Sequence, residues 1–115
     1  MIHVYLDDQR PCPQGFALAK NAEECILLLE SCEVDILALD YDLGWNTTET
    51  GMDVVSWMIS QQIFPKRVYL HTSNSSACTR MYQMLYTAKP ETMELHPHRM
   101  PDDLLWQIAT DQGTA

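Results

Sequence analysis

Three apolar segments of this chain each end at side chains that can carry protons, bind metal ions or bind phosphate. Carboxylates follow the first two segments and a histidine follows the third: residues 2–6 precede Asp7 and Asp8, residues 36–39 precede Asp40 and Asp42, and residues 68–70 precede His71 and Asn74. If these segments are neighbouring parallel strands, their polar ends lie along one edge of the sheet, where open α/β folds bind ligands. The pattern therefore predicts one acidic pocket that contains a histidine.

Carboxylates that converge in such a pocket need a partner of opposite charge. Two of them repel each other by about 4 kcal/mol at ~4 Å and an effective dielectric constant of about 20. A bound cation or a raised pKa must relieve that repulsion. Carboxylate oxygens suit Mg²⁺ or Mn²⁺, which keep several water ligands and bridge to phosphate. We therefore expect Asp7, Asp8 and Asp40 to hold Mg²⁺ or Mn²⁺; the alternative is that they only end strands and face solvent.

His71 is the candidate proton carrier of the pocket. It precedes a predicted helix, so its ring can point into the pocket while the first backbone amides of that helix point at an anion. An imidazole that titrates near neutral pH can donate a proton to a leaving oxygen. A structural histidine is the alternative. His96 and His98 flank a proline near the rim of the pocket, and a plain surface turn competes there with a metal-binding role.

Four further residues are candidates for binding the substrate. Arg10 lies in a rigid proline-rich loop just after the first acidic pair, where it can bind phosphate. Asn74 can bind phosphate or cap the next helix, and Arg80 within that helix can clamp phosphate or remain solvated. Trp45 lies in a polar loop and can stack on a base or cover the edge of the core.

The elements that must position these side chains alternate between strands and helices. Strand-like segments and amphipathic segments follow one another along the chain: strands at residues 2–6, 16–19, 34–39, 68–70 and 92–95, and helices at residues 22–32, 52–61, 75–86 and after Pro101, with residues 112–115 expected to fray. This order predicts an α/β fold with a mostly parallel sheet of about five strands and helices on both faces.

One connection does not fit this scheme, because no helix separates the first two strands. Residues 9–15 are rich in proline and must form a loop. A parallel crossover normally takes about a dozen residues or more. We therefore expect either that residues 16–19 pair irregularly or that the sheet is smaller.

Length and composition limit the functional classes. The 115 residues suit a single domain, and 46% hydrophobic with 20% charged residues is typical of a globular protein. The net charge of −9 argues against binding to duplex DNA, which requires a basic surface. The four cysteines lack metal-finger spacing and are expected to be reduced. With no apolar stretch of membrane-spanning length and no signal sequence, we expect a cytoplasmic protein.

The order of motifs resembles the response-regulator receiver fold with its first helix deleted. Over about residues 4–85, the motifs resemble those of a receiver-derived family, the cyclic-phosphate processing receiver domain. The residues that carry this resemblance are Leu6-Asp7-Asp8-Gln9-Arg10-Pro11, Leu39-Asp40-Tyr41-Asp42-Leu43-Gly44, Gly51-Met52-Asp53, and His71-Thr72-Ser73-Asn74 with Arg80-Met81.

The resemblance implies a receiver-like, flavodoxin-like fold and an action on nucleotides or RNA ends that carry cyclic phosphates. It implies that the acidic cluster and the histidine form the active site, with roles for Asp7, Asp8, Asp40, His71 and Asn74, and further for Arg10, Asp42 and Arg80. Tyr41 stands where the family pattern usually has histidine, and Thr72 where it usually has serine. The first difference could remove a second proton carrier.

These observations favour a Mg²⁺- or Mn²⁺-dependent phosphodiesterase that acts on a small nucleotide or an RNA end with a cyclic phosphate. In this hypothesis Asp40 and His71 are catalytic. One alternative is a non-enzymatic receiver-like module that binds a nucleotide, or a protein through its helices. Another is a phosphoacceptor receiver with Asp40 as the acceptor. Such a receiver would have a lysine after the last strand, but the nearest lysine here, Lys89, lies before that strand. Asp40 and Asp42 also match the D-x-D motif of aspartyl-phosphate phosphatases, which normally ends the first strand of a larger domain.

Overall fold

A computed structural model describes residues 1–111 of the chain, which form five strands and four helices. Their order is β1 (Ile2–Leu6), β2 (Phe16–Ala19), α1 (Ala22–Ser31), β3 (Val34–Leu39), α2 (Gly51–Gln61), β4 (Arg67–Leu70), α3 (Ser75–Ala88), β5 (Glu94–His96) and α4 (Asp102–Asp111). The strands form one all-parallel sheet in the order β2-β1-β3-β4-β5. This confirms the predicted receiver-like, flavodoxin-like α/β fold. The predicted fraying of residues 112–115 lies outside the described residues.

The sheet is covered by helices on both faces, as predicted. Buried residues of α1, α2 and α3 pack with Leu37 and Leu39 on one face. On the other face, Ile108 of α4 packs in a cluster that includes Ile36 and Ala38. Residues 36–39 are therefore apolar throughout because β3 is buried on both sides.

The connection between β1 and β2 corrects an expectation from the sequence. β2 is neither irregular nor lost, since it pairs with β1 in continuous parallel register from His3 opposite Phe16 to Leu6 opposite Ala19. A helical crossover needs many residues because a helix advances only about 1.5 Å per residue. Residues 7–15 instead cross as an irregular loop, and nine residues can extend to ~30 Å, well beyond the ~17 Å length of the strand.

The helices begin close to their predicted positions because their caps are encoded locally. Asn21 accepts a hydrogen bond from the backbone amide of Glu24, which starts α1 as predicted. Thr50 and Asp53 form a capping box, so α2 starts at Gly51. The last strand is displaced from the predicted residues 92–95 to Glu94–His96. Among residues 1–111, none of the helices has both the length and the apolar character that crossing a lipid bilayer requires.

Candidate active site

Asp7, Asp40 and His71 directly follow β1, β3 and β4, which are neighbours in the sheet. Each offers one donor atom, and these atoms all lie within 4.8 Å of one another. Asp7 is 1% exposed and Asp40 is 6% exposed, which is rare for charged residues without partners. The structure thus brings together three of the residues that the sequence predicts at the ends of the strands.

The backbone of the sheet holds these residues in place. The hydrogen-bond ladder continues one residue beyond each strand: the amide of Asp7 donates to Ala19, that of Asp40 to Leu6 and that of His71 to Leu39, at 3.1, 3.1 and 2.9 Å. Because side chains alternate along a strand, residues two apart share one face of the sheet. The three side chains therefore project above the α4 face, over Tyr5, Ala38 and Tyr69.

Asp7 is an ionised carboxylate held by four hydrogen bonds. Its Oδ1 accepts from the amides of Gln9 and Arg10 at 2.9 and 3.0 Å. Its Oδ2 lies 2.9 Å from Nη1 of Arg10 and 3.1 Å from Nε2 of His71. Burial alone would raise the pKa of Asp7, but the hydrogen bonds from Arg10 and Gln9 outweigh burial and lower this pKa from its usual value of 3.8.

Asp40 has the opposite electrostatic environment. Burial raises the pKa of this carboxyl above 3.8 and the charge of Asp7 raises it further, against weaker opposing effects of the Tyr41 amide, Arg10 and Thr72. Nη1 of Arg10 lies 3.2 Å from its Oδ2 while also bonding Asp7. One guanidinium therefore serves two carboxylates. This bridge and the raised pKa of Asp40 together relieve the repulsion that the sequence predicts.

The sequence predicts that the ring of His71 can point into the pocket, whereas in the structure this ring is buried. Its side chain is 5% exposed, and its ring stacks on Tyr5 with centroids 4.7 Å apart and planes 3° from parallel. Burial lowers the pKa of His71 below 6.5 more than the charge of Asp7 raises it. The neutral ring then donates from Nε2 to Asp7, and its buried Nδ1 has no hydrogen-bond partner among the described residues. Tyr5 was missed, although its spacing of two from Asp7 places it on the same face.

An acidic cleft of about 520 Å³ opens above these groups. It is lined by Asp7, Asp8, Gln9, Arg10, Asp40, Asp42, Gly44, Trp45 and Ser73. Four carboxylates thus face a single guanidinium. Asp8 lines the cleft, but it is not part of the cluster of three donor atoms described above. The indole of Trp45 is 97% exposed at the rim.

Two glycines allow the loop after β3 to close around the cleft. Gly44 has φ of +112°, and a Cβ at this position would lie 3.0 Å from Oδ2 of Asp8. A Cβ at Gly51 would collide with the carbonyl oxygen of Asp40, and the amide of Gly51 donates to Tyr41 at 2.9 Å. The start of α2 is therefore packed directly against the backbone that carries Asp40.

The structure divides the candidate substrate-binding residues. Arg10 and Trp45 line the cleft, together with Gln9 and Ser73, which were not predicted. Asn74 instead caps α3, accepting from the amide of Ala77 at 3.0 Å, which is its alternative role. Arg80 is exposed on α3 and does not line the cleft.

His96, the last residue of β5, and His98 do not line the cleft. His96 stacks on Tyr69 with ring centroids 4.3 Å apart, and its Nε2 lies 3.2 Å from a carboxylate oxygen of Glu94. His98 hydrogen-bonds to the carbonyl of Arg99. Neither residue lines the acidic cleft or joins the cluster of Asp7, Asp40 and His71.

The pair of buried aspartates has a chemical consequence. When neighbouring carboxyl groups have pKa values that are shifted in opposite directions, one remains ionised while the other can exchange a proton. Here the pKa of Asp7 is lowered and that of Asp40 is raised, so Asp40 takes up a proton at a higher pH than Asp7. The cleft therefore combines two carboxyl groups of different proton affinity with a cationic guanidinium.

Comparison of the sequence with known protein families identifies one family. The sequence model of the cyclic-phosphate processing receiver domain matches residues 2–87 of the chain. The match runs from β1 through almost all of α3, so it includes every residue that lines the acidic cleft. No curated protein sequence matches the chain.

Proposed function

Because the chain belongs to the cyclic-phosphate processing receiver domain family, we propose that it is a metal-dependent phosphodiesterase that opens the cyclic phosphate of a nucleotide or an RNA end. The observation that carries this proposal is the convergence of Asp7, Asp40 and Arg10 in one cleft. A carboxyl group with a raised pKa beside a guanidinium suits proton transfer to and from a bound phosphate ester.

The charge of the cleft supports a divalent cation as part of the site. Four carboxylates and one guanidinium line the cleft, so a bare phosphate anion would meet a net negative surface. Oxygen ligands and the phosphate itself suit Mg²⁺ or Mn²⁺. We propose Asp7, Asp8 and Asp40 as the ligands. When bound, such a cation polarises the phosphoryl group and offsets the negative charge.

Binding of a cation to Asp7 requires Arg10 to move. The oxygens of Asp7 already accept four hydrogen bonds, and two of these come from Arg10. A cation that binds Asp7 must therefore exchange with the guanidinium. The side chain of Arg10 is 45% exposed, so it can turn toward the open cleft and bind a phosphate with its planar fork of donors.

The remaining groups divide the handling of protons. Burial and the charge of Asp7 raise the pKa of Asp40, so its carboxyl group is the better proton acceptor of the two aspartates, at the oxygen that does not bind the cation. His71 takes part through Asp7, since its Nε2 lies 3.1 Å from the Asp7 oxygen that reaches the cleft. With Nε2 donating to Asp7, the ring fixes the position of that carboxylate beside the cleft. Trp45 covers the bound nucleotide from the rim.

The test is hydrolysis of 2′,3′-cyclic nucleotides by the full chain, with Mn²⁺, with EDTA, and with Mn²⁺ restored in excess of EDTA. We expect turnover that EDTA removes and Mn²⁺ restores. Asp40→Asn serves as the control for a contaminating phosphodiesterase, and Asp35→Asn, at the other end of β3, as the matched active control. If the folded wild type turns over no cyclic phosphate, the proposed activity is wrong.

A non-enzymatic nucleotide-binding module is the second candidate. The observation that favours it is the burial of His71 and the complete hydrogen bonding of Asp7, which leave few groups free for catalysis. Calorimetry separates the two candidates: one-to-one binding of a cyclic nucleotide without any product supports the module. Stable phosphorylation of Asp40 by acetyl phosphate would instead support a phosphoacceptor receiver.

A further inference from the structure

A second cavity adjoins the acidic cleft on the side of α3. It has a volume of about 690 Å³ and is lined by Thr72, Ser73, Ser75, Cys78, Thr79, Tyr82, Gln83 and Pro97. We call it the α3 groove. Ser73 lines both the α3 groove and the acidic cleft, so a ligand bound in one can extend into the other.

The two cavities differ sharply in charge. The acidic cleft is lined by four carboxylates and a guanidinium, whereas the α3 groove has no carboxylate, lysine or arginine in its lining. Burial raises the pKa of the Cys78 thiol, so that group stays neutral. Hydroxyls, one amide and one phenol ring remain. This lining suits a neutral, planar and hydrogen-bonding group rather than a second phosphate.

The wall of the groove is an ordered stripe along one helix. Ser75, Cys78, Thr79 and Tyr82 are spaced three and four apart, so they share one face of α3. The stripe begins at the helix end beside the cleft and reaches Tyr82 after ~10 Å. The thiol of Cys78 lies 3.5 Å from the carbonyl of Pro97, which closes the opposite wall.

Tyr82 is held in position before any ligand binds. It packs against the main core, and its ring stacks on Tyr86 with centroids 5.9 Å apart and planes 19° from parallel. A ring that is already fixed loses little conformational entropy when a base stacks on it. Trp45 differs, because its 97% exposed side chain must be ordered on binding.

We propose that the α3 groove binds the nucleobase of the substrate whose cyclic phosphate lies in the acidic cleft. This inference rests on the proposed function and extends it to a base-bearing substrate. Tyr82 stacks on the base, and the amide of Gln83 hydrogen-bonds to its edge. A cyclic phosphate without a base would fill only the acidic cleft.

The experiment compares two ligands with the full chain in the presence of Mn²⁺: a 2′,3′-cyclic nucleotide and methyl ribofuranoside 2′,3′-cyclic phosphate, which has no base. We expect the nucleotide to bind about ten-fold more tightly, the gain that one base–aromatic stack commonly provides. Tyr82→Leu should remove this preference and Gln83→Ala should reduce it. Trp106→Leu removes an exposed aromatic ring of α4 that does not line the groove, and it should leave the preference unchanged.

The outcomes separate this inference from the proposed function. Equal affinity of the wild type for both ligands overturns the base-binding groove alone. If neither ligand binds, both proposals are wrong. If Tyr82→Leu does not fold, Gln83→Ala and an NMR titration with a nucleoside that lacks phosphate test the proposal instead. Chemical-shift changes at Ser75, Cys78 and Thr79 would support base binding in the groove. Chemical-shift changes confined to Trp45 would overturn it.

Discussion

The two ends of the sheet carry the same residue types in different proportions. At the amino-terminal end, Arg67 binds Asp35 through two parallel hydrogen bonds of 3.1 and 3.0 Å, beside His3. At the carboxyl-terminal end, Nη1 of Arg10 is shared between Asp7 and Asp40. The first set is a balanced pair, and the second has one guanidinium for two carboxylates.

The difference shows what distinguishes a structural ion pair from a candidate site. Arg67 lowers the pKa of Asp35, and burial is the weaker, opposing effect. At the other end, burial and the charge of Asp7 raise the pKa of Asp40. Balanced charges stabilise the fold, whereas an unbalanced cluster costs stability and leaves charge available for a ligand.

The largest effect should come from removing the proton carrier. Asp40→Asn is expected to lower turnover of cyclic nucleotides by about a hundred-fold or more, because general acid–base groups commonly contribute that much. Asp35→Asn removes the same charge from the same strand and should leave turnover unchanged. Steady-state kinetics on both variants measure this. If Asp40→Asn and Asp35→Asn lost turnover to the same extent, the assignment of the carboxyl-terminal end of the sheet as the active site would be wrong.

The next effect concerns the two arginines. Arg10→Gln should weaken binding of a cyclic nucleotide about ten-fold or more, since hydrogen bonds to charged groups are worth about 1.5–3 kcal/mol. Arg67→Gln should leave that affinity unchanged but lower the free energy of unfolding by about 1 kcal/mol, as expected for a partly exposed ion pair. Calorimetry and urea denaturation measure the two quantities. A loss of affinity in Arg67→Gln would contradict the assignment.

The two aspartates should have opposite effects on stability near neutral pH. The folded-state pKa of Asp35 lies below 3.8, so its stabilising contribution is present above that pH and is lost as the pH falls through the folded value. The folded-state pKa of Asp40 lies above 3.8, so its ionisation costs stability as the pH rises. Asp35→Asn should therefore lower the free energy of unfolding, and Asp40→Asn should raise it. Urea denaturation at neutral and acidic pH measures both signs.

The smallest effect concerns the histidines at the two ends. Burial lowers the folded-state pKa of both His3 and His71 below 6.5, so the unfolded chain takes up protons first as the pH falls. Stability should therefore decrease as the pH drops through 6.5 toward the folded values. His3→Gln and His71→Gln should each flatten this dependence, and only His71→Gln should reduce turnover. A pH series of urea midpoints with matched kinetics tests the pair.

Local sequence patterns were sufficient to predict most of the strands, the starts of the helices and the family. Short apolar segments that end at polar residues identified β1, β3 and β4, and the polar residues were expected at one edge because parallel strands share their direction. Caps at Asn21 and Thr50 are encoded within four residues, so the helix starts were close. The motifs around Asp7, Asp40 and His71 also indicated the family.

Other features depend on contacts between residues that are far apart in the chain. Arg10 forms a hydrogen bond with Asp40, which lies thirty residues away in the chain. No local sequence pattern predicts that one guanidinium bridges the ends of two strands. The burial of His71 against Tyr5 depends on β1 and β4 flanking β3 on either side. The α3 groove requires Pro97 to meet α3, nineteen residues after Cys78.

The sequence by itself determined the identity of the elements, the parallel α/β fold and the edge at which the acidic residues lie. Hydrophobic periodicity and capping are local properties that any sequence displays before it folds. Only the tertiary structure decided in which direction the pKa of each aspartate is shifted, which group the histidine contacts and which cavity is free of charged side chains. Those properties depend on burial and on the distances between charges, which exist only once the strands and helices have packed.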